Sequence, residues 1–147
     1  MDTSASAPRP EPHPAPRLSA GLKQHLDTSP AFGTVATLLP DGRPHLTVVW
    51  VTRDGDDLLF STTVERLQGK NLSRDPRVTV LVTAPDDPYA YAEIRGTATL
   101  TPDPDHSLAN TLSLAHTGRP FAEVNPSSAA SDFVTVRVTP TRVTGRL

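Results

Sequence analysis

The hydrophobic pattern changes period several times along the chain. Leu18, Leu22 and Leu26 recur four apart in "LSAGLKQHLDT", which predicts a short amphipathic helix over residues 18–28. From residue 31 the period falls to two. "AFGTVATLL" (31–39) and "PHLTVVWV" (44–51) flank "PDGR", and "LLFST" (58–62) follows "RDGDD". Two Asp-Gly turn signals thus join three β-rich runs into an antiparallel meander.

A helical stretch follows in "STTVERLQGKNLSRDPRV" (61–78). Thr62-Thr63-Val64-Glu65 matches a capping box, in which the Thr62 hydroxyl accepts from the Glu65 amide and the Glu65 carboxylate reaches back. This predicts a helix opening at the end of the third strand. Pro76 stops it by pushing Asp75 away from helical angles, and "RVTVLVTA" (77–84) resumes strand. In "YAYAEIRGTATL" (89–100), Ala90, Ala92, Ile94, Gly96, Ala98 and Leu100 share one face. Tyr89, Tyr91, Glu93, Arg95, Thr97 and Thr99 share the other, open to solvent, a ligand or another chain.

Residues 104–117 predict a further helix, with Pro104 near its start and Leu108, Leu112 and Ala115 in register. A Gly/Pro/Ser-rich stretch over 118–132 leads into a last strand, "FVTVRVTP" (133–140), and a short extended end over 141–147. About six strands with only short helices do not build a parallel α/β sheet. The expected fold is mostly β with short helices, a small closed or nearly closed antiparallel barrel in which closure protects the strand edges.

The first 17 residues stand apart. Proline at 8, 10, 12, 14 and 16 withholds amide donors and fixes backbone angles, so residues 1–17 are read as a disordered or polyproline-like arm before a domain over 18–147.

Composition narrows the function. A net charge of -2 over 147 residues gives no global basic field, which argues against nucleic acid as partner and makes any anion site local. The absence of cysteine excludes disulfides, iron-sulfur clusters and thiol catalysis. No apolar run approaches the roughly 20 residues of a membrane-spanning helix, and the N-terminus lacks the apolar core of a signal peptide, so a cytoplasmic, non-membrane protein is expected.

The anion site has a candidate. Arg66, Lys70 and Arg74 repeat four apart, and like charges at that spacing repel, while the positive end of a helix dipole disfavours Arg66. Thr62, Thr63, first-turn amides, Arg66 and Lys70 together suit a phosphate. The alternative is a solvated helix whose cations pair with Glu65 or Asp75. Arg74 and Arg77, bracketing "RDPR", are assigned to structural salt bridges. His25, His45, His106 and His116 have no zinc-ligand spacing, and Asp86-Asp87 before a proline are turn formers. With no acid, base, nucleophile or metal constellation, an enzyme of this sequence would draw its chemistry from a cofactor.

"FGTVATLLPDGRPHLTVVWVTRDGDDLLFSTT", then "KNLSRDPRVTVLV", then "DPYAYAEIRGTATL" resembles the pyridoxamine-phosphate-oxidase-like split β-barrel family over about residues 20–145. The likeness is greatest to its actinobacterial branch that uses the deazaflavin F420. The resemblance implies a six-stranded Greek-key split barrel and a homodimer with two cofactors between subunits. It implies that His45, Leu46, Thr47, Val48 and Val49, with Trp50 just beyond, line the deazaflavin ring. Thr62, Thr63, Arg66, Lys70 and Asn71 would meet the phosphate and acidic tail, and Pro88, Tyr89, Ala90 and Tyr91 would come from the other subunit. Relatives commonly carry "RxKxRN"; this chain reads "RLQGKN", with neutral Gln68 where a lysine is expected. The implied activity is hydride transfer between reduced F420 and a small organic acceptor. The alternatives are an FMN-dependent oxidase or reductase on the same barrel, or a non-catalytic protein that binds flavin, F420 or haem. Substrate specificity is expected in the 104–117 helix and the 118–132 loop.

Overall fold

The structure, a computed structural model, describes residues 16–128 and 130–147. The proline-rich arm lies, through residue 15, outside the described residues. The elements are α1 (Ala20–Thr28), β1 (Ala31–Leu38), β2 (Pro44–Asp54), β3 (Asp57–Thr63), α2 (Leu67–Arg74), β4 (Arg77–Thr83), β5 (Tyr91–Pro102), α3 (Ser107–Thr117), α4 (Phe121–Val124) and β6 (Phe133–Gly145).

The six strands close into a barrel in the order β1-β2-β3-β6-β5-β4, with every pair antiparallel. The β1–β3 meander with β4 returning beside β1 is a Greek key. Both Asp-Gly turns form as the sequence predicts, with Gly42 and Gly55 at φ 87° and 61°, a region that side chains with a Cβ rarely adopt. The inward positions are mostly apolar: Val35, Val51, Leu58, Phe60, Val80, Val82, Ile94, Val136 and Val138 are all fully enclosed. Leu18, Leu22 and Leu26 of the α1 segment join that core, and Ser19 caps the helix by accepting from the Leu22 amide at 3.0 Å. On β5 the small-residue face from Ala92 to Ala98 is buried and the Tyr91-to-Thr99 face looks outward, as the alternation requires.

The barrel is split between β2 and β3. β2 has 11 residues, yet it pairs with β3 only through Thr52, Arg53 and Asp54. Its first eight residues stay with β1 alone, and the gap beside them receives α2.

Several expected boundaries shift. No capping box forms at Thr62: α2 begins at Leu67, Arg66 occupies the N-cap position without a side-chain cap, and the Thr62 hydroxyl is buried without a partner among the described residues. The reason is strand pairing. Thr62 and Thr63 are held in β3 by Val134 and Phe133 of β6, so the chain cannot turn helical there. The Thr63 hydroxyl instead accepts from the Arg66 amide at 3.2 Å. The helix read over 104–117 starts at Ser107, because the Asp103 carboxylate accepts from the amides of Ser107 and Leu108 at 2.9 and 3.0 Å. The 118–132 stretch contains α4 and a single 3-10 turn over Pro126–Ser128, and the extended end belongs to β6. Arg77 makes its ion pair with Asp75 at 2.7 Å, which holds that carboxyl at about 2. Arg74 makes no ion pair among the described residues; it donates to the Leu38 carbonyl and to Asn71 Oδ1. Asp87 forms the expected turn, accepting from the Tyr89 amide at 2.9 Å.

Candidate functional site

The split creates a cleft of about 460 Å³ on the outer side of β2 and β3. Its floor comes from outward positions of the strands: Phe32 and Trp50 as Cα partners across β1 and β2, then Val48, Ser61 and Phe133. Thr47 and Val49, which point toward the barrel, reach the cleft because β3 has diverged there. The roof is α3 and α4, through Ala109, Leu112, Phe121 and Val124, with Asn125 at the edge. Asn110 Oδ1 accepts from the Phe121 amide at 2.9 Å and the Ser113 hydroxyl donates to the Arg119 carbonyl at 2.8 Å, which ties the two roof helices together.

Gln68 and Arg66 close one end. Gln68 is buried and its amide nitrogen donates to the Thr47 hydroxyl at 2.7 Å. Arg66 is exposed, its guanidinium carbon 5.8 Å from the centre of the Phe133 ring, and it makes no ion pair among the described residues. Of the residues lining the cleft, Arg66 alone is charged, and no carboxylate faces it. The cleft therefore combines apolar walls that suit a planar ring with one cation at its rim, a donor set for a ring bearing an anionic group.

The Ser61 hydroxyl adds a second polar handle. It lines the cleft, its oxygen is buried, and it has no hydrogen-bond partner. A buried hydroxyl without a partner in the wall of the cleft is a group that a polar ligand atom could satisfy.

The residues singled out in the sequence distribute as follows. Thr47, Val48, Val49, Trp50, Arg66 and Gln68 line the cleft; His45 and Leu46 lie further along β2 and do not. Thr62 and Asn71 are fully enclosed, which corrects their assignment to the anion-binding set as side chains. Thr62 has the inward parity of Leu58 and Phe60, and Asn71 gives its amide to Thr37 at 3.0 Å inside the barrel mouth. Thr63 is buried and Lys70 is exposed, neither on the cleft lining. Pro88, Tyr89, Ala90 and Tyr91 stand away from the cleft of their own chain, Tyr89 and Tyr91 exposed. Sequence reasoning missed Phe32, Ser61 and Phe133. The first was recoverable, since the "PDGR" turn fixes the β1–β2 register that sets Phe32 opposite Trp50.

Behind Trp50 sits His116 of α3. Its ring stacks on the indole at 5.0 Å and 18°, and meets Phe32 edge-on at 4.9 Å. Burial pushes its pKa below the usual histidine value, against a smaller opposing effect of the Ala31 backbone.

Among the described residues, no helix is long and apolar enough to cross a membrane.

Comparison with known proteins extends this geometry. Residues 22–146 match the pyridoxamine 5'-phosphate oxidase family. Among solved structures, an F420 reductase is 31% identical, with 86% of this chain and 98% of that one covered and a TM-score of 0.73. A conserved hypothetical protein from Mycobacterium tuberculosis is 26% identical, covering 90% of this chain and 86% of that one, with a TM-score of 0.67. A haem binding protein from Mycobacterium smegmatis is 28% identical, with 87% of this chain but only 54% of that one covered and a TM-score of 0.59.

Proposed function

From the premise that this chain belongs to the pyridoxamine 5'-phosphate oxidase family, we propose that it is an F420-dependent oxidoreductase. The observation that carries the reading is the cleft itself, an apolar slot with an orphaned hydroxyl within and Arg66 as its one charged side chain. The 31% identity to an F420 reductase supports deazaflavin as the ring that fills it.

When bound, the deazaflavin would supply the hydride; the chain supplies the surroundings. Val48, Val49 and Trp50 present an apolar floor to a flat ring, and Ser61 offers a hydroxyl to a polar ring atom. Arg66 meets the anionic tail with a charge-assisted hydrogen bond. The roof of α3 and α4 excludes water from the reacting face, which strengthens these polar contacts. Among the described residues no acid or base lines the cleft, so its walls supply no proton with the hydride. The acceptor is a small organic molecule.

The same reading makes the working unit a homodimer in the cytoplasm. Leu46 and Val48 are 62% and 68% exposed on β2, beside Phe32 at 56%, an apolar surface that a second copy would cover. Tyr89 and Tyr91 would then reach the partner's cofactor.

Multiple-turnover oxidation of reduced F420 in the presence of a panel of activated alkenes and quinones tests the enzyme reading. A second reading, a non-catalytic haem or flavin carrier, rests on the 28% identity to a haem binding protein. Tight ligand binding without turnover across the panel would favour it.

A further inference from the structure

Among the described residues, His106 is the one non-glycine with a positive φ, 54°, at ψ 36°. Glycine or asparagine takes this left-handed angle at lower cost. Capping does not account for the residue either: it stands at the N-cap position of α3 without a side-chain cap, because Asp103 accepts from the Ser107 and Leu108 amides. A histidine held at such an angle calls for a role of its ring.

That ring completes an aromatic cluster in the wall of the cleft. It meets Phe133 at 4.8 Å and 65° and Phe121 at 6.2 Å and 83°, and those two rings meet each other at 5.0 Å and 80°, all edge-on. Its Nε2 donates to the Ser131 carbonyl at 3.2 Å. Phe121 and Phe133 line the cleft and His106 does not, so it acts on a ligand only through them. Phe133 is also the ring over which the Arg66 guanidinium lies, at 5.8 Å. The Phe133 backbone is fixed independently, by its pairing with Thr63 and by the Asp103 amide that donates to its carbonyl at 2.9 Å. What His106 adds is the orientation of the side chain.

We propose that His106 is a positioning residue for Arg66: its ring holds the Phe133 ring, and that ring in turn holds the guanidinium at the rim of the cleft for the anionic group of a planar ligand. An arginine already restrained by a neighbour loses less side-chain freedom on binding, so the contact raises affinity through preorganisation. The identity of the ligand rests on the cofactor reading, whereas the chain of contacts from His106 through Phe133 to Arg66 does not.

The ligand-free test is NMR relaxation of the Arg66 side-chain Nε–H in the full chain, beside Phe133→Leu, His106→Asn and His106→Gly, the last two of which tolerate the left-handed turn. The Arg66 Nε–H should be ordered in the wild type and more mobile in all three variants. An Arg66 side chain as mobile in the wild type as in Phe133→Leu, or unchanged in His106→Asn and His106→Gly, would overturn the proposal. F420 affinity should fall severalfold in His106→Asn and stay level when the same substitution is made beside Arg66→Ala. Equal losses in the two backgrounds would overturn it as well. If F420 binds no form of the protein, the cofactor reading fails, and the relaxation of Arg66 still decides the role of His106.

Discussion

The Gln68 side-chain amide donates to the Thr47 hydroxyl at 2.7 Å, tying α2 to the part of β2 that has left β3. This gives a physical account of the glutamine that stands where the family resemblance implies a lysine. Gln68 is only 6% exposed, so its amide serves the split and the exposed cation falls to Arg66. Thr47→Val, Gln68→Ala and the double variant, compared by urea unfolding, should show a coupling of about 1 kcal/mol. Independent effects that simply add would show that the contact contributes nothing.

Gly69 decides how closely α2 approaches the end of β3. A Cβ at this position would lie 2.0 Å from the Thr63 carbonyl oxygen, a backbone atom that cannot move aside. Glycine to alanine within an exposed helix ordinarily stabilises by about 1 kcal/mol. Here the sign reverses, and Gly69→Ala should destabilise by about 1–3 kcal/mol in thermal or urea unfolding through overpacking. A more stable variant would contradict the packing of α2 described above.

Asp103 holds the roof helix by its N-terminus. Its two carboxylate oxygens accept from the amides of Ser107 and Leu108. Asp103→Ala should lower stability by about 1 kcal/mol. Asp103→Asn, which keeps one acceptor, should lose less. Because α3 roofs the cleft, both variants should also weaken F420 binding in the same order, which an equilibrium titration reads directly.

The outward face of β2 tests the homodimer. Val48 is 68% exposed in the single chain, and a lysine there would leave the barrel interior untouched. Size-exclusion chromatography with light scattering should show a dimer for the wild type and a monomer for Val48→Lys. A wild-type monomer at working concentration would remove the dimer from the account.

Much of the barrel was legible because its strands alternate cleanly and its hairpins carry Asp-Gly turns. The small-residue face of β5, the α1 leucines and the stop at Pro76 follow from period and backbone chemistry alone. The helix starts were misread for two different reasons. Thr62 has the local signature of a cap, but six cross-strand pairs from Leu58 to Thr63 bind β3 to β6, 70 to 80 residues away in sequence, and outweigh it. Asp103 is the converse case, a cap hidden behind the more conspicuous Pro104. The cleft was half legible: the β2 residues came from one contiguous run. Phe133 enters through long-range pairing that no local pattern encodes. Ser61 escaped notice beside two threonines that looked better placed, and strand parity separates them, since Ser61 faces outward and Thr62 inward.

On the proposed function, the cleft takes an anionic deazaflavin through Arg66. Fluorescence titration of the purified protein with F420 and with FMN, repeated with Arg66→Ala, tests it most directly. F420 should bind more tightly than FMN, and removing the guanidinium should cost about tenfold to a hundredfold, the worth of one charge-assisted hydrogen bond. FMN binding more tightly, or an Arg66→Ala variant that binds F420 as the wild type does, would contradict it.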